Sequence, residues 1–257
     1  MDWVGHCAAA PDERLREAEA LFFIDDLAEP ILSQDDYHHL AEVLRLRVGE
    51  RIAFADGRGS WRLATIAKLA SPTRRGRHSP TGEGQRLEFE VSSPIESTER
   101  ALPELTVAFA MPKGDRIDLI VQKLTEIGID NVIPLMSART VMRLSPAEGA
   151  KRTERLERVA RAAAAQSRRL FLPVITAPCS LSSFLELAPT NTVFAEPGGP
   201  KLDRLTECVI VGPEGGFLPE ELSEKFGRVG LGPTILRAET AAIGVGVLLA
   251  SLRAGVI

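Results

Sequence analysis

The chain has 257 residues, 44% hydrophobic and 26% charged, with a formal net charge of −4. That composition excludes the highly charged, core-poor class that stays disordered. No run approaches the ~18 apolar residues of a membrane-spanning helix, and the acidic balance excludes indiscriminate adhesion to nucleic acid while leaving local basic patches open.

Residues 1–20 lack the basic start and apolar stretch of a secretory signal, so a cytoplasmic protein is expected, with this Ala/Glu/Arg-rich stretch an N-terminal extension, either a frayed helix or disordered. Residues 21–93 are β-rich and suggest a small barrel. Strands are expected over 51–56, 60–67 and 86–92, with Asp56-Gly57 as a turn between the first two. Residues 35–50 read as a short helix with Leu40, Val43 and Leu44 on one face, ending near Gly49. The segment 71–85 carries a basic knot of Arg74, Arg75, Arg77 and His78, either a plain surface loop or a nucleic-acid contact. Residues 94–104 read as an interdomain linker.

Beyond the linker the period changes. Strands are expected over 105–111, 131–136, 173–177, 192–196, 208–212 and 233–237. Helices are expected over 115–128, 151–169 and 240–253. The first helix places Ile117, Ile120, Val121, Leu124 and Ile127 at helical spacing and stops at Gly128; the second buries Leu156, Val159, Ala160 and Ala163. Strand–helix alternation over 105–257 predicts an α/β domain with a parallel sheet. The three cysteines (Cys7, Cys179, Cys208) are far apart and the four histidines form no H-x-x-x-H pair, so free thiols and no metal site are expected.

Neither G-x-x-x-x-G-K-[ST] nor a post-strand G-x-G-x-x-G is present, nor a G-x-S-x-G elbow. Three other loops stand out, each after an expected strand: AEPGG (195–199), GPEGG (212–216) and GPTILRAETAA (232–242). In open α/β sheets ligands sit beyond the carboxyl ends of strands, and glycine lets main chain approach a ligand with no Cβ in the way. One such loop reads best as a turn; three together point to a small-molecule site, with Ile235 and Leu236 placed to flank a ring.

IVGPEGGFLPEEL followed by LGPTILRAETAA resembles the C-terminal signature of the SPOUT methyltransferases, and more narrowly the ribosomal small-subunit methyltransferase E family. HHLAEVLRLRVGE and ADGRGSWRLATI resemble that family's N-terminal half, and MPKGDRIDLIVQKLTEIGIDNVIPLMSART and ARAAAAQSRRLFLPVI its middle. The likeness runs in order over 21–253. It implies a PUA-like β-barrel over 21–93 and a trefoil-knotted α/β domain over 105–257. It also implies S-adenosylmethionine as methyl donor, 16S rRNA of the small ribosomal subunit as substrate, N3-methyluridine as product, and a homodimer. It places the donor among Glu196, Pro197, Gly198 and Gly199; Val211, Gly212, Pro213, Glu214, Gly215 and Gly216; and Leu231, Gly232, Ile235, Leu236, Arg237 and Ala241. Glu214 either holds its loop or approaches the ligand. The resemblance puts Gln166 and Arg169 near the substrate; on charge alone, RNA contacts are expected of Arg45 and Arg47, of Arg74, Arg75 and Arg77, of Lys113 and Arg116, and of Arg139 and Arg143, against the alternative of solvated surface arginines. Three motifs depart from the family pattern at four positions: AQSRR puts Ala165 in place of an acid and Arg168 in place of glycine, LRAETA puts Ala238 where a hydroxyl is common, and SART puts Ala138 in place of Glu.

Uracil N3 carries a proton and attacks a methyl group only once it is lost, so a base or an anion-stabilising cation is required. Arg237, at the end of an expected strand, is the candidate cation. Glu239 is the candidate for orienting it or serving as base, against the alternative of a structural Arg–Glu pair at a helix start. A SPOUT enzyme acting on tRNA or ribose, and a non-catalytic assembly factor, are the alternatives.

Overall fold

The computed structural model describes residues 12–68, 88–112, 114, 116–138 and 144–257. The chain divides into two compact units at Arg100/Ala101. Arg74, Arg75, Arg77, Lys113, Arg139 and Arg143, all expected to contact RNA, lie outside the described residues.

The first unit begins earlier than expected. Within the presumed extension, α1 (Glu13–Glu17) is capped by Asp12, whose carboxylate accepts from Arg14 N. Leu15 is fully buried, and Arg14 donates to both oxygens of Glu96 at 2.7 and 2.6 Å. Of the two alternatives for this stretch, helix holds at 13–17, packed into the unit rather than frayed. β1 (Ala20–Phe23) pairs parallel with β2 (Arg51–Ala55). β3 (Ser60–Lys68) runs antiparallel to β2 and pairs in turn with β4 (Glu88–Val91) and β5 (Glu96–Ser97). β5 lies inside the stretch expected to be a linker. The β2–β3 turn is held by Asp56, which accepts from Arg58 N and Ser60 N. Phe22, Ile52, Phe54 and Ile66 form the core, with Phe89 edge-on to Phe54 at 5.0 Å. The helix expected over 35–50 breaks up. α2 (Gln34–His38), capped by Ser33, widens into a π turn over His39–Val43, and the chain then reverses at Arg45 with φ +55°. The wide turn brings only Leu40 to the core; Val43 and Leu44, expected beside it, are exposed.

The second unit is a parallel sheet with helices on both faces. Its strands are β6 (Thr106–Ala110), β7 (Asn131–Met136), β8 (Val174–Ile175), β9 (Cys179–Ser180), β10 (Thr192–Ala195), β11 (Cys208–Val211) and β12 (Gly227–Val229). The order is β12-β10-β11-β6-β7-β8, with β9 also on β7. Strands covered on both faces need near-continuous apolar runs, as in TVAFA and CVIV. Their alternation sorts two cores. Val107, Phe109, Val209 and Val211 face α3 (Arg116–Ile127), α4 (Pro146–Gln166) and α6 (Ala238–Arg253). Ala108, Cys208, Ile210 and Phe194 face α5 (Leu181–Leu187) and Phe226. Burial pushes the Cys208 thiol up to about 12, so it is an inert core residue.

Two boundaries differ from expectation. α4 starts at Pro146 rather than 151, because Ser145 and Glu148 form a capping box, a signature present in S-P-A-E. The strand expected over 233–237 is a loop; β12, upstream, takes the edge beside β10. Thr234, Ile235 and Leu236 have β propensity but no neighbour in register, and propensity without pairing does not make a strand.

α4 ends in a turn where Arg169 N donates to Ala164 O and Arg168 N to Ala165 O. Its hinge, Arg168, has φ +58°, the left-handed conformation that glycine adopts without strain. This is the position where the family pattern has glycine. Arg168→Gly is expected to raise unfolding free energy by about 0.5–1 kcal/mol, the relieved strain less the extra chain entropy of glycine. Urea denaturation at unchanged m checks it; a loss of stability would mean that the guanidinium, which donates to Ala165 O, outweighs the strain.

Candidate functional site

In the second unit β12, β10, β11 and β6 run side by side, with Val229, Ala195, Val211 and Phe109 in register. The loops after them therefore leave one rim. Chain order reverses between β6 and β11, the crevice where ligands bind in open parallel sheets.

The glycines of the rim fall into two groups, which the sequence did not separate. Gly199 and Gly230 face each other. A Cβ on Gly199 would sit 2.6 Å from Gly230 N, and Gly230 N donates to Pro200 O at 2.8 Å. A Cβ on Gly212 would meet the Phe217 ring at 2.9 Å. These three are small because protein fills the space a Cβ would need. Gly198, Gly216 and Gly232 behave otherwise: each has positive φ and nothing within 4 Å of a would-be Cβ. Each loop thus has one glycine with no protein atom where a Cβ would stand, although the N–H of Gly216 is itself spent on Pro213 O at 2.8 Å.

Around them, Pro197, Pro213 and Gly215 shape the bends, and Ile235 is 83% exposed. Leu231 and Leu236 pack onto the core, and Val211 and Ala241 lie within it, so the side chains of these two face protein rather than the rim. The Glu196 carboxylate is engaged by Arg228 Nε at 3.0 Å, and that guanidinium also lies over Phe194 at 5.2 Å.

Arg237 is the N-cap residue of α6, exposed and free of any ion pair with the described residues. Glu239 does not pair with it. Its Oε1 lies 3.3 Å from Arg116 Nη1, at the start of α3, and Arg116 is also 3.8 Å from Glu214 Oε1. Arg116, expected on an RNA path, instead sits between two carboxylates at the rim. The Glu239 side chain is 13% exposed, and its Oε2 is buried with no hydrogen-bond partner. Leaving a buried acceptor unsatisfied costs ~1–3 kcal/mol, so this oxygen marks where a donor group is missing.

Arg169 is a second correction. Its Nη1 donates to Thr125 O and Ile129 O and its Nη2 to Asp130, so it is committed to the interior and not to RNA. Gln166, the last residue of α4, is exposed, as are Arg45 and Arg47 in the first unit. A cleft of about 640 Å³ also opens at the carboxyl ends of β7 and β9, between Met136, Ser180, Leu185 and Glu221, residues without a sequence motif. The Glu221 carboxylate is already used there, accepting from Ala138 N and Leu218 N.

An RNA methyltransferase domain model matches residues 98–250, and an RNA methyltransferase PUA domain model matches residues 32–73. The chain is 31% identical over 243 residues to the ribosomal RNA small subunit methyltransferase E of Mycobacterium tuberculosis, covering 86% of this chain and 87% of that protein. It is 28% identical over 236 residues to the enzyme of the same name from Bacillus subtilis, covering 82% and 85%. Among solved structures, the ribosomal RNA small subunit methyltransferase E from Neisseria gonorrhoeae bound to S-adenosyl methionine has a TM-score of 0.74 at 25% identity, covering 91% of this chain and 97% of that one. The first unit is accordingly PUA-like and the second has the SPOUT-type parallel sheet.

Proposed function

The chain belongs to the ribosomal RNA small subunit methyltransferase E family, and from that membership we propose that it methylates N3 of a uridine in 16S rRNA with S-adenosylmethionine as donor. The observation that carries the reading is the rim of parallel strands with, in each of its three loops, a glycine that leaves open the space a Cβ would fill, beside a buried carboxylate oxygen without a donor. These residues fit the donor: main chain at Gly198 and Gly232 can meet its polar edges, the open side of Gly216 leaves room for it, and exposed Ile235 can cover its adenine ring. When bound there, S-adenosylmethionine supplies an electrophilic methyl group for in-line displacement.

The protein's own part is alignment and proton handling. Glu239 Oε2 accepts the N3 proton, and Arg237, exposed beside the rim, steadies the charge that gathers on the uracil carbonyls. Arg45 and Arg47, with the basic residues Arg74, Arg75 and Arg77, hold RNA through its phosphates, which sets position without reading sequence. The family likeness also leads us to propose that the protein works as a homodimer. Its substrate puts it in the cytoplasm, consistent with no helix among the described residues being long and apolar enough to cross a membrane.

Purified protein should methylate small ribosomal subunits, and nucleoside mass analysis should find N3-methyluridine. Arg237→Ala is expected to lower kcat ~10²-fold, the usual cost of losing one charge-stabilising donor. A methylated ribose, or methylation of tRNA alone, would overturn the reading.

A further inference from the structure

Arg116 follows β6 and its side chain spans the crevice at which the strand order reverses. Its Nη1 lies near Glu239 in the first turn of α6 and Glu214 in the bend after β11, so one guanidinium joins two of the segments that frame the rim. A phosphate contact is a poor use of this group: two carboxylates within 4 Å neutralise it and repel an anion. A different consequence follows from the geometry. A carboxylate held by neither oxygen can turn about its last torsion, which is broad and soft. Here Oε1 is tied to Arg116, and Oε2 is left buried and unpartnered.

We propose that Arg116 is a positioning residue for methyl transfer: by holding Glu239 Oε1 it fixes Oε2 as the acceptor of the N3 proton and ties the Glu214 bend to the same carboxylate. The inference rests on uracil N3 being the acceptor. In the step, the N3–H bond breaks and its proton passes to Glu239 Oε2, leaving the electron pair on N3. That pair forms the new N–C bond as the methyl–sulfur bond breaks, with its electrons staying on sulfur as a neutral thioether. The proton then leaves Glu239 for water, so one proton is released per methyl group transferred. Arginine suits the task because its planar fork can serve two carboxylates from one fixed plane, which an ammonium on a flexible stem does less well.

The test uses the full chain with assembled small subunits, comparing Arg116→Ala and Arg116→Lys with wild type. Arg116→Ala is expected to lower kcat ~10²-fold, the scale of a misplaced reacting group, with donor Kd by calorimetry, RNA KM and melting temperature nearly unchanged. Arg116→Lys keeps the charge and the fold and should recover about tenfold of that loss, remaining below wild type. A rise in RNA KM at constant kcat, with the salt slope of binding falling by about one, would make Arg116 a phosphate contact and overturn the proposal. A weakened donor Kd at constant kcat would overturn it too, by making the tie a donor contact. Failure of the uridine reading is told apart because wild type itself would then form no N3-methyluridine.

Discussion

Arg169→Ala is expected to lower the unfolding free energy by about 3–5 kcal/mol, the range for removing one partner of a buried charge cluster. Asp130 is the centre of that cluster, with its side chain 4% exposed. Arg169 Nη2 reaches its Oδ1 at 3.1 Å, Arg253 Nη1 reaches its Oδ2 at 2.5 Å, and Leu105 N donates to Oδ2 at 3.0 Å. The two guanidiniums also satisfy main-chain carbonyls: Thr125 and Ile129 by Arg169, Gly128 and Pro103 by Arg253. The end of α4, the turn between α3 and β7, and the end of α6 are therefore locked to one carboxylate. Removing Arg169 leaves those two carbonyls without that donor and Asp130 short of a counter-charge. Urea denaturation with m unchanged measures the loss, and Arg253→Ala should cost a similar amount. A variant of normal stability with weakened RNA binding would return Arg169 to the RNA surface.

Gly230→Ala is expected to cost about 3 kcal/mol or more, the upper end for forcing a methyl into filled space. The new Cβ would overlap the main chain of Gly199, and a Cβ on Gly199 would lie 2.6 Å from Val229 C and Gly230 N. Both obstacles are backbone, and the Ala195–Val229 pairing of β10 with β12 lies immediately upstream, so neither segment can retreat without parting the strands. Gly198→Ala is the control. It has φ +78° and nothing within 4 Å, so it should carry only the ~1–2 kcal/mol of left-handed strain. Denaturation midpoints of the two variants decide; equal losses would mean that the crossing is looser than its geometry implies.

What the sequence revealed was local or periodic. The apolar runs at 105–111 and 208–212 predict strands covered on both faces, and the spacing of Ile117, Ile120, Val121 and Leu124 predicts the buried stripe of α3. Two of the glycine loops were legible as a rim because expected strands precede them; the third follows β12, which was not expected, since the strand was placed over 233–237 instead. What was hidden was non-local. No pattern near Arg169 announces Asp130, and an arginine in a basic-looking turn reads as an RNA contact until its partners are seen. The two kinds of rim glycine look alike in sequence because the distinction lies in what stands opposite each one. The pairing of Glu239 with Arg116 rather than Arg237 was hidden for the same reason: Arg237 is two residues away, but Arg116 comes across the crevice.

α6 carries Glu239 in its first turn and Arg253 in its last, and it is synthesised after every strand against which it packs. A nascent chain that has completed its sheet still lacks both the candidate proton acceptor and the second counter-charge of Asp130. Folding and the proposed proton transfer therefore wait on the same last helix.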